Sequence, residues 1–177
     1  MNTDTYAVKY VPIGCRTLSP EEIIARRIAQ DLKIPTAAAV LIAASEMAAL
    51  IDGPCWLVPV PASTGSLVAN LELARSIAEL VPGARVKRAI ARAHPVESSS
   101  LRRLRNLPGL TVHEHAIIRT ASAMHPLPLY FVDNVITTGT TVAACRRALG
   151  WGVGLAYADA SRYPHLSRFV PASDWAR

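Results

Sequence analysis

Within nine residues the chain sets a carboxylate, an amide, four threonines and a glycine: Asp133-Asn134-Val135-Ile136-Thr137-Thr138-Gly139-Thr140-Thr141. Side chains of these types can hold an anion and a polyol side by side. Hydroxyls and backbone N–H groups that converge where a helix begins, beside the positive end of its dipole, make a phosphate site. Gly139 permits the tight backbone approach such a cradle needs. A carboxylate a few residues earlier, Asp133, can accept hydrogen bonds from sugar hydroxyls. Together the pieces describe a holder for a ribose 5-phosphate. The plainer alternative is an ordinary strand–turn–helix with a capping threonine.

Such a site needs a strand before it and a helix after it. Leu129-Tyr130-Phe131-Val132 is an apolar strand that delivers Asp133 to its carboxyl end. A helix is expected from about Thr141 to Leu149, stopped by Gly150-Trp151-Gly152, with a further strand over Val153 to Ala158. A second apolar strand, Trp56 to Val60, runs into the small-residue loop Ala62-Ser63-Thr64-Gly65-Ser66. Pro59 and Pro61 argue against an ordinary central ladder at that end. Leu67 to Leu80 has helical periodicity, and Arg85 to Ile90 reads as the next strand. Strands alternating with helices imply an α/β fold with a central, mostly parallel sheet flanked by helices.

Upstream, Ser19-Pro20-Glu21-Glu22 is a helix start with a capping box. Thr36 opens a second helix that runs to about Ile51. Its alanine-rich, nearly all-apolar sequence predicts burial. Residues 91–110 sustain no period and read as a long mobile loop. His113 to Arg119 is a weak strand signal. On a strand His113 and His115 would share a face, but a metal pair there lacks a third ligand nearby. His94, His125 and His165 are isolated. Trp56, Trp151 and Trp175 read as core or interface anchors.

The 177 residues, 51% hydrophobic and 18% charged, exclude a disordered chain. Cys15, Cys55 and Cys145 lie far apart, which points to a reducing compartment and small buried hydrophobes rather than a cysteine-built zinc site. The longest apolar run, Ala37 to Ala44, is too short to span a bilayer, and the first residues carry an acid at Asp4 and no apolar signal core. The expectation is a cytoplasmic protein. Formal net charge is +6. The stretch from Arg85 to Arg105, with Lys87, Arg88, Arg92, Arg102 and Arg103 between them, holds seven bases against Glu97, so the rest of the chain is neutral overall. A local positive field suits one anionic partner, a phosphorylated small molecule or a nucleic acid; a solvated basic face is the plainer alternative.

The stretch VDNVITTGTT resembles the phosphoribosyl-diphosphate (PRPP) motif of type I phosphoribosyltransferases. Val58-Pro59-Val60-Pro61 with Asn70-Leu71-Glu72-Leu73-Ala74 is similar to the ComF-like branch of that family, and Leu101 to Asn106 resembles a loop of that branch loosely. The resemblance covers roughly residues 56–158. It implies a type I phosphoribosyltransferase-like fold, with residues 1–55 as an N-terminal helical segment on the core and 159–177 as a tail. One of those two would have to supply the hood that meets an acceptor base. It implies that Asp133 and Asn134 hold the ribose hydroxyls, that Thr137, Thr138, Gly139, Thr140 and Thr141 cradle the 5-phosphate, and that Mg²⁺ bridges hydroxyls and diphosphate, with Asp133 the one metal-facing carboxylate. On that reading Ser63, Thr64 and Gly65 suit the diphosphate, and Arg102, Arg103 or Arg105 close over it, with Lys87 and Arg88 as alternatives. The plainer readings there are a simple loop and a solvated surface.

Two departures matter. The family's second acid is Asn134 here, which contributes no charge toward a cation. Thr137 stands where purine-salvage relatives carry an acid, which makes 6-oxopurine acceptors less expected. Three functions follow as expectations. The first is phosphoribosyl transfer to a nucleobase-like acceptor. The second is PRPP or nucleotide sensing without turnover. The third is a DNA-uptake accessory role, implied by the ComF-like resemblance. Relatives often dimerise, so a homodimer is also expected.

Overall fold

A computed structural model describes residues 4–9, 17–122, 124 and 126–160. Cys15, His125, His165, Trp175, the tail from residue 161 and the side chain of Arg103 lie outside them.

Two helix starts form as their local sequences dictate. In α1 (Pro20–Asp31) the Ser19 hydroxyl accepts from the Glu22 N–H, and the Glu22 carboxylate accepts from the Ser19 N–H. In α2 (Ala37–Ala48) the Thr36 hydroxyl accepts from the Ala39 N–H. These bonds satisfy amides that the helix cannot pair internally.

The central sheet has five strands, all parallel, in the order β1 (Thr5–Lys9), β7 (Val153–Asp159), β6 (Leu129–Ile136), β2 (Trp56–Pro59), β3 (Arg85–Val86). α3 (Val68–Leu80) connects β2 to β3, and α5 (Thr140–Leu149) connects β6 to β7. α1, α2 and α3 pack around Met47, Leu57, Leu73 and Tyr157 on one face. α5 packs around Val58, Phe131 and Val142 on the other. An antiparallel pair, β4 (Ile90–Arg92) and β5 (Ile117–Arg119), lies on the α5 face, and between those strands runs the short helix α4 (Ser99–Leu104).

The two crossovers leave the middle of the sheet in opposite directions. From β2 the chain moves outward to β3, and from β6 it moves outward to β7. β2 and β6 are neighbours, so the strand order reverses between them. In open α/β sheets ligands bind outside the carboxyl ends of the strands at such a reversal.

Several expectations need correcting. The N-terminal segment is not only helical, because β1 is an edge strand of the same sheet. α2 is not buried all round: Leu41 and Ile42 are exposed, since α2 is an outer layer that packs inward, mainly on α3 and β7. Arg85 to Ile90 is two strands in two sheets. The Ala89 N–H donates to the Lys87 carbonyl, a three-residue turn that breaks the extension. Residues 91–110 contain structure: β4, and α4, whose first turn is capped by the Ser98 hydroxyl accepting from the Leu101 N–H. The His113–His115 stretch is a turn rather than a strand, closed by Glu114 accepting from the Thr111 N–H and Thr111 accepting from the Glu114 N–H. The two imidazoles therefore do not share a strand face.

Pro59 stands inside the sheet without disrupting it. The Trp56 and Val60 N–H groups donate to the β6 side, to the carbonyls of Pro128 and Val132. By alternation, the N–H that Pro59 lacks would face β3, which ends at Val86.

Candidate functional site

β6 is longer than its apolar run. It continues through Asp133 to Ile136, held by β7, whereas β2 stops pairing at Pro59 opposite Val132. Asp133 therefore sits one residue past the point where β2 leaves β6, inside a strand rather than at its end. That uncovered flank is the floor of the crevice at the strand-order reversal. Asp133, Val135, Ile136, Thr137, Gly139 and Thr141 line a small cleft there.

Asp133 is held firmly. Its Oδ1 accepts from the Asn134 N–H at 2.8 Å and from Asn70 Nδ2 at 3.2 Å. Asn70 Nδ2 also donates to the Val60 carbonyl at 2.8 Å, so one buried amide of α3 ties the end of β2 to the carboxylate. Burial pushes the Asp133 carboxyl up to about 6, against the two hydrogen bonds and the Arg92 charge, which pull it down.

Beyond the strand, Gly139 takes φ +74 and forms the N-cap of α5. A side chain is strained in that left-handed region, which gives the glycine a conformational reason to be there. Thr138 Oγ1 and Thr140 Oγ1 are 2.8 Å apart at the helix start. On the β2 side, the Ala62–Ser66 loop closes on itself, with the Ala62 N–H donating to the Ser66 carbonyl and the Gly65 N–H to the Ala62 carbonyl. Gly65 has φ +89, again left-handed. The two loops identified from sequence thus follow neighbouring strands at one end of the sheet.

Other expected site residues are placed differently. Asn134 turns toward α1: its Nδ2 donates to the Ala29 carbonyl at 3.5 Å, and its Oδ1 accepts from the Val135 N–H. It does not join Asp133 in the cleft. Lys87, half-buried, follows directly on β3, and Arg88 beside it is exposed. Arg102 donates to the Pro108 carbonyl and lies 3.6 Å from Glu97, while Arg105 donates to Glu97 at 2.8 Å. Both charges are thereby engaged within their own segment. Burial pushes the Cys145 thiol up, which leaves it inert as a nucleophile.

Two residues escaped the sequence reading as site members. Arg92 on β4 donates through Nε to the Ala62 carbonyl at 2.7 Å and through Nη1 to the His115 carbonyl. It thereby clamps the β2 loop to the turn before β5, close enough to Asp133 for the charges to interact. Its sequence signals were its place in the basic stretch from Arg85 to Arg105 and its setting between Ala91 and Ala93, an arginine among small apolar residues. His115 is 97% buried, with Nε2 3.1 Å from Thr140 Oγ1. Replacing Arg92 with methionine should move the Asp133 midpoint further above 6. Carboxyl ¹³C shifts across a pH titration check this, and an unmoved midpoint would show that Arg92 does not reach Asp133 electrostatically.

The arrangement can take an anion at the α5 terminus and hydroxyls at Asp133. It also bears on a metal. Among the described residues no group of three or more His, Cys, Asp or Glu could hold one. Mg²⁺ commonly takes one or two carboxylates and completes its shell with water and substrate phosphates. Asp133 alone meets that requirement, so the residues fit a Mg²⁺ that arrives with a diphosphate. They do not form a resident metal cage.

Among the described residues no helix is long and apolar enough to cross a membrane. Compared with protein-family models and with curated proteins, the chain matches none.

Proposed function

We propose that the crevice binds PRPP and that the protein is a phosphoribosyltransferase-like enzyme with a type I fold, transferring the phosphoribosyl group to a nucleobase-like acceptor with release of diphosphate. One juxtaposition carries this reading. A carboxylate and a threonine-rich helix start line one cleft, and a small-residue loop follows the neighbouring strand, where the strand order reverses between β2 and β6. A 5-phosphate at the α5 terminus puts the ribose hydroxyls toward Asp133 and the diphosphate toward Ala62–Ser66.

The protein's part in such a reaction is placement. Thr138, with Thr140 behind it, and the first α5 amides hold the phosphate end. Asp133, ionised, accepts from the ribose hydroxyls and fixes the ring. The Ser63 and Thr64 amides, which the loop's own hydrogen bonds do not use, face the leaving diphosphate, and Arg92 holds that loop in register. Mg²⁺, when bound with the substrate, supplies further charge neutralisation for the diphosphate.

A non-catalytic PRPP or nucleotide sensor is the second reading. Asn134 supports it, because the side chain that would be a second acid is uncharged and turned to α1. Calorimetric titration of PRPP with Mg²⁺ tests the site: saturable heat is expected, and a flat trace would remove both readings. Diphosphate release with a panel of nucleobases then separates enzyme from sensor. Salt-dependent retention on single-stranded DNA tests the accessory role. The engagement of Arg102 and Arg105 with Glu97 makes a weak response the expected one.

A further inference from the structure

The turn at residues 111–115 lies outside the strand–loop–helix signal, yet it brings an imidazole to the phosphate cradle. His115 is 3% exposed. Its Nε2 lies 3.1 Å from Thr140 Oγ1, which is 2.8 Å from Thr138 Oγ1. Its Nδ1 is buried and has no hydrogen-bond partner. We propose that His115 is a positioning residue of the anion site, acting through Thr140 to aim the Thr138 hydroxyl proton at a bound phosphomonoester. This deepens, and rests on, the phosphate-site reading given above.

A neutral imidazole carries one N–H. On Nδ1 that proton would be a buried donor with nothing to accept it, and an orphaned N–H is rarer and costlier than an orphaned lone pair. The proton therefore sits on Nε2 and is donated to Thr140 Oγ1. The Thr140 hydroxyl then directs its own proton away from His115, and in the proposed chain donates it to Thr138 Oγ1. The Thr138 proton is left at the exposed helix start, where an anion would sit. Three donors point one way before any ligand arrives, so binding needs no reorganisation of hydroxyls. Burial, and after it the Arg92 charge, hold the imidazole below its ordinary pKa, while Glu114 opposes them. The neutral form is thus favoured near pH 7. Arg92 also grips the His115 carbonyl, which holds the turn against α5.

The test combines a spectrum with a binding series. Long-range ¹H–¹⁵N spectra of the labelled protein at pH 7 should show His115 as the Nε2–H tautomer; the Nδ1–H tautomer would overturn the proposal. Ribose 5-phosphate and inorganic phosphate are then titrated into wild type, His115→Phe, His115→Gln and Thr140→Val, with melting curves alongside. His115→Phe should weaken ribose 5-phosphate binding by about five- to tenfold. His115→Gln, whose amide can still donate to Thr140, should recover most of that loss. In a Thr140→Val background His115→Phe should add nothing. Equal affinity in wild type and His115→Phe would overturn the positioning role and leave the phosphate site standing. Absence of binding in the wild type would remove the phosphate-site reading, and the role of His115 with it. Should His115→Phe not fold, His115→Gln still decides, because a tenfold loss there contradicts a donor role.

Discussion

Asp133→Asn should make the protein more stable and nearly abolish its affinity for PRPP. The two effects share a cause. Burial raises the Asp133 carboxyl to about 6, against 3.8 ordinarily. A raised acid means that the fold prefers the protonated form. The stability gained from that preference is complete below about pH 3.8 and is lost as pH rises through 6. At pH 8 the native protein carries a buried charge costing on the order of 2–3 kcal/mol. Asparagine removes the charge and keeps an oxygen for the Asn134 N–H. A gain of about 2 kcal/mol at pH 8 is expected, roughly 4–8 °C in Tm, and almost none at pH 4. Melting curves across that range check it, and an equal shift at both pH values would contradict the electrostatic cause.

The same charge is what a ribose needs. Hydrogen bonds to an ionised group contribute about 1.5–3 kcal/mol each. Losing two should weaken PRPP at least a hundredfold. In the wild type, affinity should rise with pH through about 6 as Asp133 ionises, then level off above it. Calorimetry at pH 5, 6 and 7.5 reads this directly. Wild-type affinity in Asp133→Asn would mean that the carboxylate does not face the ligand.

Gly152→Ala should be the most destabilising of the glycine-to-alanine changes among the described residues. Gly152 has φ +118, where a side chain is strained, and a Cβ there would stand 2.6 Å from Leu129 Cδ2 and 2.7 Å from Phe131 Cε2. Phe131 is wholly buried and Leu129 nearly so, so neither has room to retreat. Strain and overpacking together cost about 3–5 kcal/mol. A fall in Tm of roughly 6–20 °C follows. Gly109→Ala is the control, because its Cβ meets nothing within 4 Å and its φ is not left-handed. Near-equal melting of the two variants would show that β7 can shift beneath β6. Such a shift would also move the register that sets Asp133 opposite Ala156, which links this packing to the site.

What was legible in the sequence was local. The Ser19 and Thr36 caps, the β6 apolar run, the Gly139 turn and the Gly150 stop each depend on a few neighbouring residues, and each formed where its chemistry required. The order of alternating strands and helices also implied the parallel sheet. Two expectations failed at the boundary of this logic. The apolar sequence of α2 says that it packs, but its neighbours, chiefly α3 and β7, decide which side. Arg85 to Ile90 is extended at both ends, and a single three-residue turn assigns the halves to different sheets.

By itself, then, the sequence determined the parts of the site: an acid, a threonine-rich helix start and a glycine-bearing loop, each defined by short-range hydrogen bonding and backbone freedom. Only the tertiary structure decided how they meet. The outward winding of both crossovers put β2 beside β6, and the early end of β2 uncovered Asp133 in mid-strand. It also decided that Asn134 turns away, that Arg92 reaches Ala62 across 30 residues of sequence, and that His115 reaches Thr140 across 25. Those choices rest on packing between segments far apart along the chain, which no local pattern encodes.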